Sequence, residues 1–141
     1  FDMQKKPHYN NIIKDIEKFF LDKIETSVNF GIKKDLIILD PGIGFGKSVS
    51  DNFIIISKLH KFAEMGHIIL VGPSRKSFIG ELTNVDFKSR GKNKKLIEPS
   101  KRLSGSIAFA IHANMCGVQI LRTHDVFETN QALICQKSLY L

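Results

Sequence analysis

An α/β fold with parallel strands is predicted for this chain of 141 residues. Short, wholly apolar runs, typical of strands buried on both faces, alternate with longer stretches in which apolar residues recur at helical spacing. Several of these segments end at a glycine, as helices and strands commonly do. Alternation of this kind implies parallel strands joined by right-handed crossovers. The length and apolar content predict a single domain with its own core, spanning residues 1–141.

The first half of the chain contains two predicted helices and one predicted strand. Apolar residues from His8 to Phe30 form a helical stripe. The run Leu36–Leu39 is wholly apolar and predicts the first strand. Helical spacing returns from Phe53 to Met65, where either Ser50 or Asp51 is a suitable N-cap.

The second half repeats this order. Ile68–Val71 predicts a second strand, and the small apolar residues of Arg102–Met115 predict a helix that packs closely. Val118–Leu121 predicts a third strand, and Phe127–Leu139 a final helix. Both an open doubly wound sheet and a part of a (β/α)₈ barrel fit this order. A complete barrel typically needs about 250 residues, so the chain could hold only a part of one.

The positive charge is concentrated in one segment. The net charge is +7, and residues 86–102 alone carry seven basic and two acidic side chains. This segment includes Gly91 and Pro99 and has neither helical nor strand periodicity. We expect residues 86–101 to form a flexible, solvated basic loop. Because no series of aromatic residues accompanies the charge, nucleic acid is not predicted as a partner.

The sequence also predicts the cellular location of the protein and the redox state of its cysteines. It has no apolar run of about 18 residues, so no transmembrane helix and no membrane partner are expected. No signal peptide is recognisable, which favours the cytoplasm. Cys116 and Cys135 lie in apolar stretches and are expected to be buried, reduced thiols. The sequence begins at Phe1 rather than Met, so we expect it to be a piece of a longer protein.

Distinctive polar residues follow each of the three predicted strands. The first strand leads into DPGIGFGK (residues 40–47), the second into GPSRKS (72–77) and the third into RTHD (122–125). In parallel α/β folds the carboxyl ends of the strands meet at one rim, where ligands bind. One carboxylate, Asp40, is therefore expected to meet several cations there. These cations are Lys47, Arg75, Lys76, Arg122 and His124.

Each motif has a simpler interpretation when taken alone. Asp40 could cap a helix or pair with a lysine, and the three glycines could only form turns. The pattern GxGxGK is neither a dinucleotide fingerprint nor a Walker A loop. Arg122 could form a surface salt bridge, but Arg122 and His124 alternate at a strand end and can face the same side, which suits a phosphate. A helix starting at Ser77 could also offer free backbone N–H groups to an anion.

Other polar residues predict no separate site. His60 and His112 lie within helical patterns and are interpreted as ordinary surface or packing residues. No spacing of His, Cys, Asp and Glu is typical of a zinc site. No serine or cysteine has an evident base partner that would activate it as a nucleophile.

Four segments together resemble the dihydropteroate synthase family. They are LDPGIGFGK, LVGPSRKSFIG, RLSGSIAFAIHANMCG and ILRTHDVFET, in the family's order. The similarity runs from about residue 2 to the end and covers about the last half of the family's fold. It implies the C-terminal portion of a TIM (β/α)₈ barrel, with three parallel strands alternating with helices. These strands are similar to the sixth, seventh and eighth of the family's barrel.

The resemblance also implies an activity in folate biosynthesis. Family members condense a 7,8-dihydropterin methyl diphosphate with p-aminobenzoate, release pyrophosphate, require Mg²⁺ and are the target of sulfonamides. Six residues match the family's binding positions: Asp40 and Lys76 for the pterin, Phe45 and Ser77 for p-aminobenzoate, and Arg122 and His124 for the diphosphate. The reaction needs no covalent intermediate, because the amine of p-aminobenzoate is itself a nucleophile.

The resemblance further implies what this chain lacks. The family's magnesium ligand belongs to the N-terminal part of the barrel, so no metal ligand is expected here, and the chain alone is expected to be inactive. The family dimerises through C-terminal helices that the chain retains, which makes a homodimer possible. Two alternatives remain open: a pterin-binding barrel that transfers a methyl group from methyltetrahydrofolate to a corrinoid protein, and a non-catalytic module that binds anions or nucleic acid. The first has no need of the Arg122 and His124 anion site.

Overall fold

A computed structural model describes residues 11–83 and 96–140, and within these ranges it contains a three-stranded parallel sheet. The strands are β1 (Ile38–Leu39), β2 (Ile68–Val71) and β3 (Ile120–Leu121), in the spatial order β1-β2-β3. Both pairings are parallel, with Ile38 opposite Ile68 and Leu70 opposite Ile120. The predicted α/β class with parallel strands is therefore confirmed.

Helices precede, separate and follow the strands in the predicted order. The described α-helices are α1 (Ile12–Asn29), α2 (Val49–Ser57), α3 (Leu59–Ala63), α4 (Ser77–Thr83), α5 (Leu103–Met115) and α6 (Val126–Ser138). Short 3₁₀-helices form at Lys34–Leu36 and Pro99–Lys101. Since each strand is followed by a helix, the loops at the carboxyl ends of all three strands lie at one edge of the sheet.

The core lies where the central strand and the helices meet. In β2, Ile69 and Val71 are fully buried. Helix α1 turns its apolar stripe toward this core, and the Phe20 ring packs edge-on against the Phe62 ring of α3, with centroids 5.7 Å apart. Burial of a side chain as large as that of Phe62 contributes about 1.5–3 kcal/mol. The apolar stripe predicted for the first helix therefore faces the core.

Two predicted strands are shorter in the structure. Leu36 belongs to a 3₁₀-helix and is 69% exposed, while Ile38 is 48% exposed, so the run Leu36–Leu39 is not buried on both faces. The third strand starts at Ile120 instead of Val118, because the Val118 N–H donates to the Ala113 carbonyl at the end of α5. The apolar composition predicted that Leu39 and Val118 are buried. It did not predict the residue at which the pairing of each strand begins.

The predicted helix from Phe53 to Met65 is two helices. They are separated at Lys58, whose N–H donates to the Ile55 carbonyl in a tighter turn. The first of them, α2, begins earlier than predicted and is capped by Ser48 rather than by Ser50 or Asp51. The Asp51 N–H donates to Ser48 Oγ and the Ser48 N–H donates to Asp51 Oδ2, which forms a capping box.

The predicted basic loop falls mostly outside the described residues, since 84–95 are not among them. Arg102, which adjoins this loop and belongs to the basic stretch 86–102, is buried, with 6% of its surface exposed. The expectation for the thiols was also wrong. Cys116 is only partly buried and Cys135 is exposed, although both are free. In the described part of the chain, no helix has both the length and the apolar character needed to span a membrane.

Candidate active site

The loop after β1, residues 40–47, is shaped by its glycines and by Asp40. Oδ1 of Asp40 accepts a hydrogen bond of 2.8 Å from the Gly42 N–H, which fixes the carboxylate at the strand end. Gly42 and Gly44 have φ angles of +68° and +80°, in the left-handed region that residues with a β-carbon rarely adopt. The glycine loop, as we call residues 40–47, therefore holds an exposed carboxylate in a defined position.

Asn52 of α2 anchors the glycine loop from below. Its side chain is buried, and its Oδ1 accepts a hydrogen bond of 2.7 Å from the Gly44 N–H. Its amide nitrogen donates to the Ser48 carbonyl at 2.8 Å. Asn52 was not predicted from the sequence. Its position directly before the apolar run Phe53–Ile56 could have indicated its role, because a polar side chain buried beside such a run needs hydrogen-bond partners.

Lys47 is part of the loop rather than a free cation. Its Nζ donates to the carbonyls of Gly42 and Phe45, at 2.9 and 3.3 Å. Burial lowers the pKa of Lys47, while the negative charges of Asp40 and Asp51 oppose this effect. Two of its three donors are thus committed to the backbone.

Lys76, from the loop after β2, crosses the glycine loop. Its Nζ lies 3.6 Å from the centroid of the Phe45 ring, within the range of a cation–π interaction. A β-carbon at Gly44 would lie 2.7 Å from Cδ of Lys76, so this close crossing requires a glycine. Burial and then the neighbouring Arg122 lower the pKa of Lys76, and Asp40 opposes them. The charges of Arg122 and Asp40 therefore both act on Lys76, as expected of side chains that meet at one rim of the sheet.

A cavity of about 450 Å³ opens between the loops after β2 and β3. Its lining residues are Gly72, Ser74, Lys76, Arg122, Thr123 and His124. Arg122 lies flat against Gly72, where a β-carbon would be 3.0 Å from its Nε. Ser74 Oγ lies 3.0 Å from Nδ1 of His124 and accepts the His124 backbone N–H at 3.2 Å. Two cationic side chains, a hydroxyl and an imidazole around one cavity suit an anion such as phosphate.

Arg75 does not join these cations. Its Nε donates to Oδ2 of Asp125 at 3.0 Å, and its Nη2 donates to Oδ1 of the same carboxylate. These hydrogen bonds raise the pKa of Arg75 and lower the pKa of Asp125. The expectation that Arg75 contributes charge to the rim is therefore wrong, because its charge is neutralised by a paired carboxylate.

Helix α4 begins at Ser77, as the sequence predicted. Ser77 is exposed at the first position of this helix and does not line the cavity. The backbone N–H groups before it are not free: that of Arg75 donates to Ser106 Oγ at 2.9 Å and that of Lys76 to the Pro73 carbonyl at 3.3 Å. These two N–H groups are therefore not available to an anion.

The described residues do not fit a magnesium site by themselves. In 11–83 and 96–140, no group of three or more His, Cys, Asp and Glu side chains could hold a metal ion. Mg²⁺ requires several oxygen ligands in octahedral geometry. At the rim Asp40 already accepts the Gly42 N–H, and Lys76 and Arg122 lie nearby.

The parallel strands and the charged residues at their carboxyl ends define the class. The chain is a segment of an α/β barrel with a cluster of polar and charged side chains at the barrel rim. A model of the pterin binding enzyme family matches residues 1–124. The chain belongs to the family of pterin-binding enzymes.

Individual relatives agree with this assignment. The dihydropteroate synthase of Escherichia coli is 40% identical over 131 residues, which is 93% of this chain and 42% of that protein. The synthase of Haemophilus influenzae is 37% identical over 93% of this chain and 43% of its own length. The chain thus spans about half the length of the curated relatives it matches.

Solved structures give the same result for the fold. The Yersinia pestis dihydropteroate synthase, solved with a sulfonamide drug, matches 99% of this chain and 46% of its own, with a TM-score of 0.85 and 37% identity. The Xanthomonas albilineans synthase with 4-aminobenzoic acid matches 96% of this chain and 45% of its own, with a TM-score of 0.85 and 34% identity. The predicted resemblance and the predicted partial (β/α)₈ barrel are confirmed.

Proposed function

We propose that this chain supplies the pterin- and diphosphate-binding half of a dihydropteroate synthase active site. The observation that carries the proposal is the placement of Lys76, which lies on Phe45 and close enough to both Asp40 and Arg122 for their charges to affect its pKa. One carboxylate and several donors around a shared rim suit a substrate with a hydrogen-bonding heterocycle at one end and a diphosphate at the other.

Asp40 and Lys76 bind the pterin in this proposal. A dihydropterin presents a ring N–H and an amino group side by side, and one carboxylate can accept both hydrogen bonds. The Gly42 N–H holds Asp40 in place before the substrate arrives. Lys76 donates from its ammonium group to the acceptor atoms of the same ring, as the matching lysine of the family implies.

Arg122 and His124 bind the diphosphate. In the condensation, the amine of p-aminobenzoate forms a C–N bond to the pterin methylene while the C–O bond to the diphosphate breaks. The leaving group takes the electron pair, and the amine loses one proton. Arg122 and a hydrogen-bond donor on His124, oriented by Ser74, stabilise the charge that develops on the diphosphate. The imidazole is thus held at one nitrogen and free to face the substrate with the other.

Phe45 and Ser77 border p-aminobenzoate. Phe45 is partly exposed at the tip of the glycine loop, and one face of its ring is covered by Lys76. Ser77 is exposed at the start of α4, two residues after Arg75. Mg²⁺, which the family resemblance implies, would be bound by the other half of a complete barrel, where that resemblance places the metal ligand.

We also propose a homodimer formed through the last helix. Helix α6 buries only Thr129, while Val126, Phe127 and Ile134 are 66%, 75% and 59% exposed. Apolar side chains on one exposed helix favour burial against a second subunit. Light scattering of a complete barrel should give the mass of two chains, and Phe127→Glu should shift it toward one. A cytoplasmic location is consistent with free thiols at Cys116 and Cys135.

The enzymatic proposal is tested in a complete barrel in which this chain follows the N-terminal half of the E. coli relative. Dihydropteroate should form from the pterin diphosphate and p-aminobenzoate, whereas the 141-residue chain alone should form none. Absence of product from the folded, complete barrel would contradict the proposal. Transfer of a methyl group to a corrinoid protein, or salt-sensitive binding of DNA or RNA, would favour the alternative functions.

The sharpest variant is Asp40→Asn in the complete barrel. The amide keeps an oxygen for the Gly42 N–H but presents a donor where the pterin needs an acceptor. Loss of one or two charge-assisted hydrogen bonds, at about 1.5–3 kcal/mol each, should weaken pterin binding by roughly a hundredfold. Asp35→Asn, which changes an exposed carboxylate five residues earlier, is the matched control and should leave binding unchanged.

A further inference from the structure

Arg75 has an unusual backbone conformation next to the proposed active site. Its φ angle is +56°, the one positive value for a residue other than glycine among the residues that the structure describes. A β-carbon makes this conformation unfavourable, so it persists only where surrounding contacts enforce it. Its neighbours Ser74 and Lys76 both line the cavity, whereas Arg75 turns away from it.

Three partners hold Arg75 in this conformation. The Arg75 N–H donates to Ser106 Oγ at 2.9 Å, and its carbonyl accepts from Arg102 Nη1 at 2.7 Å. Its side chain pairs with Asp125, in the loop after β3. Both backbone groups and the guanidinium are therefore fixed by residues from outside the loop itself.

Arg102 links this contact to the chain before α5. Its Nε donates to the Ile97 carbonyl at 2.7 Å, and its guanidinium lies against Gly80, where a β-carbon would be 2.7 Å from Nε. In the part of the chain that the structure describes, the side-chain donors of Arg102 bond to backbone carbonyls. The ion pair found in that part is formed by Arg75 and Asp125 and does not include Arg102. Arg102 also accepts, through its own carbonyl, the hydroxyl hydrogen of Ser106 at 2.8 Å. A buried cation used in this way is a structural clamp, and it has no role in the chemistry proposed above.

We propose that Arg102 and Ser106, which do not line the cavity, are positioning residues that hold Arg75 in its left-handed conformation and thereby place Lys76 over the glycine loop. The effect of this positioning on catalysis rests on the proposed function. The positioning of Lys76 itself does not depend on that function. Release of either backbone group of Arg75 lets the loop relax to an ordinary conformation. The direction of the Lys76 side chain then changes, because consecutive residues share the same loop.

The position of Lys76 can be measured without any substrate. The Phe45 ring should shift the resonances of the Lys76 ε-methylene protons upfield, because Nζ lies 3.6 Å from its centroid. Phe45→Leu removes this shift and so identifies the signals. In the 141-residue chain, Ser106→Ala and Arg102→Lys should lose most of the shift. Ser104→Ala, an exposed serine in the same turn of α5, is the matched control and should keep it.

Kinetics in the complete barrel provide a second measurement. With Lys76 displaced, the KM for the pterin diphosphate should rise roughly tenfold in Ser106→Ala, as expected for one lost hydrogen bond to a charged group. A change in stability alone would lower the apparent kcat by lowering the folded fraction and would leave KM unchanged. Ser106→Ala is the milder variant, and Arg102→Lys keeps the positive charge while losing the bridge between two carbonyls.

The two proposals fail in different ways. Unchanged ring-current shifts and an unchanged KM in both Ser106→Ala and Arg102→Lys would overturn the positioning role. A complete wild-type barrel that forms no dihydropteroate would overturn the proposed function, while the comparison of Lys76 resonances would still decide the positioning role.

Discussion

The ammonium group of Lys76 lies 3.6 Å from the centre of the Phe45 ring, so side chains from two different strand ends are stacked on each other. Phe45 comes from the glycine loop after β1 and Lys76 from the loop after β2. Gly44 allows the crossing, since any β-carbon there would collide with the lysine. This contact joins the proposed pterin and p-aminobenzoate sites through one side chain.

Opposite shifts in the pKa of Lys76 are expected when its two charged neighbours are neutralised. Arg122→Met removes a like charge and should raise this pKa toward its ordinary value. Asp40→Asn removes the opposite charge and should lower it further. An NMR titration of the ε-methylene group measures both changes. Shifts of the same sign for Lys76 in the two variants would contradict a shared site.

A methyl group at Gly44 should destabilise the chain and displace Lys76. The left-handed conformation at φ +80° costs roughly 1–2 kcal/mol for a residue with a β-carbon, and the contact of 2.7 Å with Lys76 adds to it. Gly31→Ala isolates the first effect, because Gly31 has φ +88° with no atom within 4 Å of the added carbon.

Urea unfolding of both glycine variants measures the difference. Gly44→Ala should lose more unfolding free energy than Gly31→Ala, and only Gly44→Ala should remove the ring-current shift of Lys76. Equal losses in the two variants, with the Lys76 resonances unchanged, would show that Lys76 does not cross the loop closely.

The buried amide of Asn52 should be required for the shape of the glycine loop. Asn52→Ala leaves the Gly44 N–H and the Ser48 carbonyl without their partner, at a cost of roughly 1–3 kcal/mol for a buried unsatisfied group. Asn114→Ala, on the exposed face of α5, should change the unfolding free energy by less than about 0.5 kcal/mol. Denaturant unfolding measures the free energy of unfolding of both variants. Similarly small losses in the two would mean that water takes over the hydrogen bonds made by Asn52.

The sequence predicted the parts of the site that depend on strand ends. Asp40, Lys76 and Arg122 each directly follow or lie close to an apolar run, and parallel strands bring such positions to one rim. Periodicity also located α1, and small apolar residues located α5, to within a few residues. It did not show the break at Lys58, because the apolar spacing continues through α2 and α3 without interruption.

The residues that support the site could not be predicted in the same way. Ser106 and Arg102 act through contacts with Arg75, which lies 31 and 27 residues away in the sequence. Hydrogen bonds over such separations depend on the folded arrangement and leave no local pattern. The position of Arg102 beside a basic, aperiodic segment therefore gave no sign that the fold buries its side chain.

The pair of Arg75 and Asp125 should stabilise the chain only above a limiting pH. The hydrogen bonds from Arg75 lower the pKa of Asp125 below its ordinary value of 3.8, so the folded state holds the proton less tightly than the unfolded state does. The contribution is fully present above about pH 4 and is lost as the pH falls through the lowered pKa. Arg75 stays protonated over this whole range, since its own pKa is raised.

Asp125→Asn tests this dependence through the unfolding free energy measured from pH 7 downward. The difference from the wild-type chain should be constant above about pH 4 and should shrink toward zero at lower pH, because the wild-type carboxyl group is then neutral as well. Asp35→Asn, at an exposed carboxylate, is the matched control and should change the unfolding free energy by less than about 0.5 kcal/mol. A difference that stays constant through the acid range would mean that the charge of Asp125 does not contribute to the stability of the folded chain.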